Sequence, residues 1–312
     1  MGRVFENKNT SDVDFVIVNF NTLGYLKEML DFFEQASLPF SYRLIVVDNG
    51  STDGSIEYLD GRDGVTVIKN RENLGYARAV NLGIAGTVSR YVCFMNTDLV
   101  LNEQALRRVW DFMESTPGAE ICSPVIYSAN GRIQGFFFRL NIVFEYLDFP
   151  KSVYSAWSKA AIRRSAGPLR FDGVIGAFVF FRASLAGREK KLLDEDYFFY
   201  FEDADLAFRL KKAGIRTYVL PGAGITHLGS EGGGGGNNCR LFYRHKYLFI
   251  RKNYGRIHAG TIRRIDYFKA AVKSLKYAVL GRLCPCERTR EKFRYYRDLF
   301  DNMKDLSRSG SS

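Results

Sequence analysis

A chain of 312 residues, 46% hydrophobic and 25% charged, has the composition of a folded globular protein and the length for one large α/β domain or two smaller ones. No apolar run approaches the roughly 18 residues a membrane-spanning helix needs, the longest being about Val174 to Phe181. The first residues lack the basic and apolar regions of a signal peptide, so the expected location is cytoplasmic. The net charge of +11 is concentrated between Arg240 and Arg297, which hold 17 Lys/Arg against 3 Asp/Glu, so an anionic partner, whether lipid headgroup, nucleic acid or phosphorylated substrate, is expected at the C-terminal quarter.

In chain order, the short apolar segment Val13 to Val18 ends in Asn19-Phe20-Asn21 and precedes a helical pattern from Leu23 to Phe33, which predicts a strand followed by a helix. Leu44 to Asp48 repeats the pattern, with Asn49-Gly-Ser-Thr-Asp53-Gly54 as a tight turn that offers caps to the next helix. Val65 to Ile68 predicts a third strand, Gly75 to Ala85 a helix, and Tyr91 to Met95 a fourth strand. Strands alternating with helices imply a parallel sheet with right-handed crossovers. None of these strands is followed by G-x-G-x-x-G, so no dinucleotide fingerprint is present.

The fourth strand runs straight into Asn96-Thr97-Asp98. Open α/β sheets bind ligands at the carboxyl ends of their strands, although a lone Asp here also reads as a helix cap. Asn102 to Met113 follows as an amphipathic helix, and Ile121 to Ile126 as a strand. From Gly135 to Pro168 the pattern is irregular and aromatic, as in an insertion lining a cleft or a membrane-facing surface, and Phe171 to Arg182 reads as one strand.

Leu193 to Leu206 sets six carboxylates around an aromatic run before a helix. Asp203 as the cap of that helix and Asp205 as complement to its dipole is one reading, and acid–base chemistry by Glu202 and Asp203 is the other. Ile215 to Leu220 predicts a strand, and His227-Leu-Gly-Ser230 leads into Gly232 to Gly236, a mobile loop that serves as a lid or as a linker. Beyond it, Phe268, Ala271, Val272, Leu275, Val279 and Leu283 fall at helical spacing among lysines. Such a helix either lies on an anionic membrane surface or packs its stripe inward. The five cysteines are odd in number and scattered, which points to reduced thiols, and Cys284-Pro-Cys286 has no second Cys/His pair at zinc spacing.

Taken together, Val16 to Asn21, Val46 to Ser55, Asn73 to Gly83, Phe94 to Asp98, Gly173 to Arg182, Phe201 to Leu206 with Arg209, and His227 to Ser230 resemble the family-two inverting glycosyltransferases of the GT-A fold, in the bacterial rhamnosyltransferase-like branch. The resemblance covers about residues 13 to 255. It implies an α/β, Rossmann-like, mostly parallel central sheet flanked by helices, with a basic helical C-terminal extension. The implied division is a transferase domain over 1–226, with its nucleotide half at about 13–100 and its acceptor half at about 101–226, and a glycine-rich loop and helical region over 227–312.

By the same resemblance, Asp98 and His227 hold a divalent cation, Mg²⁺ or Mn²⁺, with Asn96 in place of a first Asp. Asp48 and Arg78 read the donor's pyrimidine, with Asn19, Asn21, Asp53 and Asn96 lining that pocket. Asp203 is the catalytic base, with Glu202 beside it, and Ser230 and Arg244 serve the diphosphate and its loop. The implied partners are a dTDP- or UDP-sugar and a saccharide or lipid-linked saccharide acceptor of cell-surface polysaccharide synthesis, with peripheral contact to the inner membrane face. A nucleic-acid-binding protein would account for the charge but not for carboxylates at strand ends, so no nucleic acid is expected. A catalytically inactive sugar-nucleotide binder is the other alternative.

Overall fold

A computed structural model of the chain describes residues 11–134, 151–188, 191–229, 235–283 and 286–308. They fall into two compact units, one formed by most of the described chain up to Gly229 and the other by the described residues from Gly235 onward with Phe199–Phe201.

The first unit is built on one nine-stranded sheet. Its first half contains β1 (Val13–Asn19), α1 (Leu23–Gln35), β2 (Tyr42–Asp48), α2 (Ser55–Asp60), β3 (Val65–Lys69), α3 (Tyr76–Ala85) and β4 (Tyr91–Asn96). The order β3-β2-β1-β4 is parallel throughout, as alternating strands and helices require. Both faces of these strands are covered, which is why β1 and β4 read as continuous apolar runs.

The second half departs from simple alternation. It contains β5 (Leu99–Val100), α4 (Glu103–Ser115), β6 (Ile121–Ser128), α5 (Lys151–Arg164), β7 (Leu169–Phe171), β8 (Phe178–Arg182), α6 (Ala183–Arg188), α7 (Glu202–Lys212) and β9 (Thr217–His227). Strand β8 runs antiparallel to β4 and β6, β9 runs parallel to β6, and β5 and β7 pair antiparallel with β9. The long ladders are the parallel ones.

Several expectations change. Phe171 to Arg182 is not one strand, because the chain breaks at Gly173–Ala177 between β7 and β8. Asp98 does not cap the following helix. Asn102 does, its side chain accepting from Ala105 N at 2.8 Å. Asp203 does not cap α7 either, since that helix begins one residue earlier, at Glu202. A regular helix, α5, emerges from the stretch read as irregular, while residues 135–150 lie outside the described residues.

The second unit contains α8 (Gly235–Tyr254), α9 (Arg256–Leu283) and α10 (Glu287–Arg308). Gly235 and Gly236 open α8, whereas Gly232–Gly234 lie outside the described residues. Tyr267 packs on Phe300 with ring centroids 4.8 Å apart, and Tyr277 stacks on Tyr296 at 5.3 Å. Lys246 Nζ holds Asp266 at 2.8 Å.

Asp14 is the one acid inside the apolar run of β1, and its carboxylate is fully buried. Arg43 donates to both of its oxygens, at 2.7 and 2.8 Å, and the backbone N–H groups of Val88 and Ser89 add two more bonds. Burial alone would raise its pKa, but these donors outweigh it and hold the group below the usual carboxylate range. Asp14→Ala is expected to cost about 3 kcal/mol, because Arg43 and two amides lose their acceptor. With a folded-state pKa below the unfolded one, the contribution of Asp14 is present above the unfolded value near 4 and lost as pH falls through the folded value. Urea melts of both proteins at pH 7 and pH 3 measure this, and the difference should shrink at pH 3.

Candidate active site

Three turns meet at the carboxyl edge of β1, β2 and β4. Asp48, at the end of β2, accepts from the N–H groups of Gly50 and Ser51 at 3.1 and 2.9 Å and from Asn19 Nδ2 at 2.7 Å. Thr22 Oγ1 donates to Asn19 Oδ1 at 2.7 Å and shares a hydrogen bond of 2.8 Å with Thr97. One polar chain thus runs from Asp48 through Asn19 and Thr22 to the residue beside Asp98. Asn21, with a left-handed φ of 52°, accepts from Thr52 N at 2.8 Å. Asp53 accepts from Leu23 N and from both the amide and hydroxyl of Ser55, and so braces the starts of α1 and α2. A cavity of about 340 Å³ is lined by Asn21, Thr22, Leu23 and Asp53 among others.

Asp98 is placed by β5. Leu99 pairs with His227, and Leu228 N donates to the Asp98 carbonyl at 2.8 Å, which sets Asp98 Oδ1 3.1 Å from His227 Nε2. On the other side of the ring, Nδ1 lies 3.0 Å from Gln134 Oε1. With Nδ1 donating to that amide oxygen, Nε2 presents a lone pair to the carboxylate. Asp98 Oδ1 is buried and has no hydrogen bond. A Cβ added at Gly229 would meet His227 Nε2 at 3.1 Å and clash with Asp98 Oδ2. Two lone-pair donors facing each other in a cradle only glycine leaves open fit a cation. Among the described residues no third His, Cys, Asp or Glu joins them.

The acid pair is placed by α7 and the Gly173–Ala177 turn. Gly176 N donates to Asp203 Oδ2 at 3.2 Å and Ala204 N to Oδ1 at 2.7 Å. Glu202 is 6% exposed and its Oε2 has no partner. Burial pushes both carboxyl groups above the usual range, and the charge of Asp203 pushes Glu202 further, to about 8. Adjacent buried carboxyls do not both ionise easily, so the pair carries one proton at neutral pH. Asp205, by contrast, is bound by Arg209 Nε at 2.8 Å and receives the Tyr197 hydroxyl at 3.4 Å.

Tyr76 ties these groups together. Its hydroxyl donates to Gly176 O at 2.7 Å and its N–H to Phe198 O at 2.7 Å. Burial, then the charges of Glu202, Asp98 and Asp203, push the phenol well above its ordinary value, so this side chain senses the charge of both acidic clusters. Gly75 before it, at φ 85°, would drive any Cβ into the Phe198 backbone. Tyr76 falls inside the Asn73 to Gly83 motif, but its type and spacing gave no sign that both clusters meet there.

The remaining expected residues are placed as follows. Asn96 N donates to Ala177 O at 3.0 Å, joining β4 to the same turn. Arg78 is exposed on α3 with its guanidinium 3.7 Å from Glu195, whereas Asp48 is buried within its own loop. Arg244 is an exposed residue of α8 in the second unit, and Ser230 lies outside the described residues.

Residues 14–186 match the family model described as Glycosyl transferase family 2. The N-acetylglucosaminyl-diphospho-decaprenol L-rhamnosyltransferase of two Mycobacterium tuberculosis strains is 26% identical over 231 residues, which is 66% of this chain and 73% of the relative. Two solved structures share the fold at 14% identity. The Pyrobaculum calidifontis mannosyltransferase PcManGT, in complex with GDP-Man and Mn²⁺, superposes with a TM-score of 0.55 over 94% of this chain and 86% of its own. TarS of S. aureus (residues 1–349), in complex with UDP, superposes with a TM-score of 0.52 over 96% and 92%.

The acid pair yields a stability test. Glu202 has a folded-state pKa above its unfolded value near 4.5, so the folded state loses stability relative to the unfolded as pH rises from about 4.5 toward 8. Glu202→Gln removes that loss. The variant is expected to melt higher than the parent at pH 8, by an amount worth a few kcal/mol, about 4 at most, with the gain vanishing toward pH 5. Calorimetric melts across this range measure it.

Proposed function

The chain belongs to glycosyltransferase family 2 and has the GT-A fold, bearing out the resemblance carried by its motifs, and from that premise we propose that it is an inverting transferase moving a sugar, rhamnose, from a pyrimidine-diphosphate donor to a hydroxyl of a lipid-linked saccharide. The observation that carries this reading is the meeting of two acidic clusters at Tyr76, one beside a histidine and one holding a shared proton. A group-transfer site needs both a place for a leaving diphosphate and a base for the incoming hydroxyl. The rhamnosyl donor and lipid-linked acceptor are supported by the mycobacterial relative, whose name states both.

Asp98 and His227 are the residues that would hold a divalent cation, and such an ion, when bound, supplies positive charge to the departing diphosphate. Asn19, Asn21, Asp48, Asp53, Arg78 and Asn96 are assigned to the donor nucleotide's side, with Asp48 and Asp53 acting through the loop they brace. Asp203 takes the proton from the acceptor hydroxyl. The resulting oxygen attacks the anomeric carbon from the face opposite the diphosphate, the anomeric carbon–oxygen bond to phosphate breaks, and the configuration inverts. Burial raises the pKa of Asp203, which makes it a stronger base than a free carboxylate. Glu202, holding its own proton, keeps the pair at one negative charge. Ser230 and Arg244 are assigned to the diphosphate and its loop.

The donor assignment is tested by thermal shift with dTDP-, UDP- and GDP-sugars, a GDP preference overturning the pyrimidine. Asp203→Asn is expected to keep donor affinity while transfer falls by about 10²–10⁴-fold, measured by calorimetry beside product formation, with the anomer of the product read by NMR. Asp98→Ala is expected to remove the Mn²⁺ or Mg²⁺ enhancement of donor affinity. Equal enhancement in both proteins would take the cation away from Asp98.

A further inference from the structure

Helix α9 carries an apolar stripe that no described residue of its own unit covers. Phe268, Val272, Leu275, Val279 and Leu283 recur at intervals of four, three, four and four, so they lie along one line of the helix. All five are exposed, Phe268 and Leu275 at 68% and Leu283 at 76%. The packed side is a different one: Ala259, Ile262 and Ala270 are the helix's buried residues, and Tyr267 and Tyr277 meet the rings of α10. Monomeric globular proteins seldom leave such a stripe bare, and a long one marks a surface that is covered in use.

The flanks say what covers it. Exposed Lys276, Arg264 and Arg282 border the stripe. The single acid of α9, Asp266, is turned to Lys246 and Tyr247 and gives the face no countercharge. A second copy docking stripe to stripe would bring these cations against their own kind. A nucleic acid would match the charge and leave the five apolar side chains without a partner. An anionic bilayer matches both, taking the stripe into the boundary below its headgroups and the cations among them. No described helix is long and apolar enough to cross a membrane, so the matching geometry is in-plane.

We infer that the exposed face of α9 is an in-plane membrane-docking surface for anionic phospholipid. The inference stands apart from the transfer reaction, because it is read from the helical unit alone and its test uses no sugar.

The test is sedimentation of the full chain with vesicles of phosphatidylcholine alone and of phosphatidylcholine with phosphatidylglycerol. The unsubstituted chain is expected to bind the second and not the first. The double variant Phe268→Ser/Leu275→Ser should weaken binding by tenfold or more, since each loses roughly one large side chain's worth of buried apolar surface. Lys276→Glu/Arg282→Glu should weaken it by at least fivefold per cation replaced. All four residues are exposed, so both variants should keep the parent's melting temperature, which is measured alongside. Four results overturn the inference: no vesicle binding by the unsubstituted chain, equal binding to neutral vesicles, binding unchanged in the serine variant, or a dimer in the ultracentrifuge that the serine variant dissociates while vesicles are ignored.

Discussion

The site depends first on how Tyr76 is held. Its backbone amide is fixed to Phe198 and its hydroxyl to the Gly176 carbonyl, so one residue at the start of α3 links the segment before α7 and the turn before β8. Gly75 makes this possible by letting the two backbones approach closer than any side chain would permit. Because the same Gly176 donates to Asp203 and the neighbouring Ala177 accepts from Asn96, the positions of the acid pair and of the strand end that leads to Asp98 are set by one rigid turn. Preorganisation of this kind is what lets a few carboxylates act at fixed separation.

The other half of the site rests on very little secondary structure. Strand β5 has two residues, yet its pairing with the end of β9 carries Asp98 to His227 across more than a hundred residues of sequence. Gln134 then sets the far side of the imidazole, fixing which nitrogen faces the carboxylate. With Asn96 in place of an acid, the pair has one formal negative charge to offer a cation. Affinity would then draw on the negative charge of a bound diphosphate as much as on the protein.

Much of the first half was legible because its signal is periodic and local. Four apolar runs, each ending in Asn or Asp or followed by a helix pattern, translate directly into the parallel half of the sheet. What escaped was set by long-range pairing. Two residues of β5 have no period to detect, and the break at Gly173–Ala177 is invisible in an apolar sequence that reads as one strand. The same limit applies to the site. Asp98, His227 and Asp203 were nameable from their motifs, but Tyr76 looks like any buried aromatic on a helix until Phe198 and Gly176 are placed beside it. The apolar stripe of α9 was legible as a stripe, whereas its exposure depends on which side the neighbouring helices take.

The buried acids themselves separate into two kinds, and the separation argues for where the chemistry lies. Asp14, Asp48 and Asp205 have both oxygens bonded, to Arg43 and amides, to a turn and Asn19, and to Arg209 and Tyr197. Each of them completes a local structure, and the protein gains stability from it. Asp98 and Glu202 each keep one buried oxygen with no hydrogen bond, a cost of about 1–3 kcal/mol apiece that a fold under selection for stability alone would remove. Directly before Glu202, Tyr200 and Phe201 hold left-handed φ angles of 72° and 71°, adding about 1–3 kcal/mol each of backbone strain. Ring contacts of both with Phe242 offset part of that. Unbonded buried carboxyl oxygens thus occur at Asp98 and Glu202, while those of Asp14, Asp48 and Asp205 are bonded. Costs of this kind at two acids, beside others whose oxygens are all bonded, support the proposed roles of Asp98 and Glu202 in binding and proton transfer.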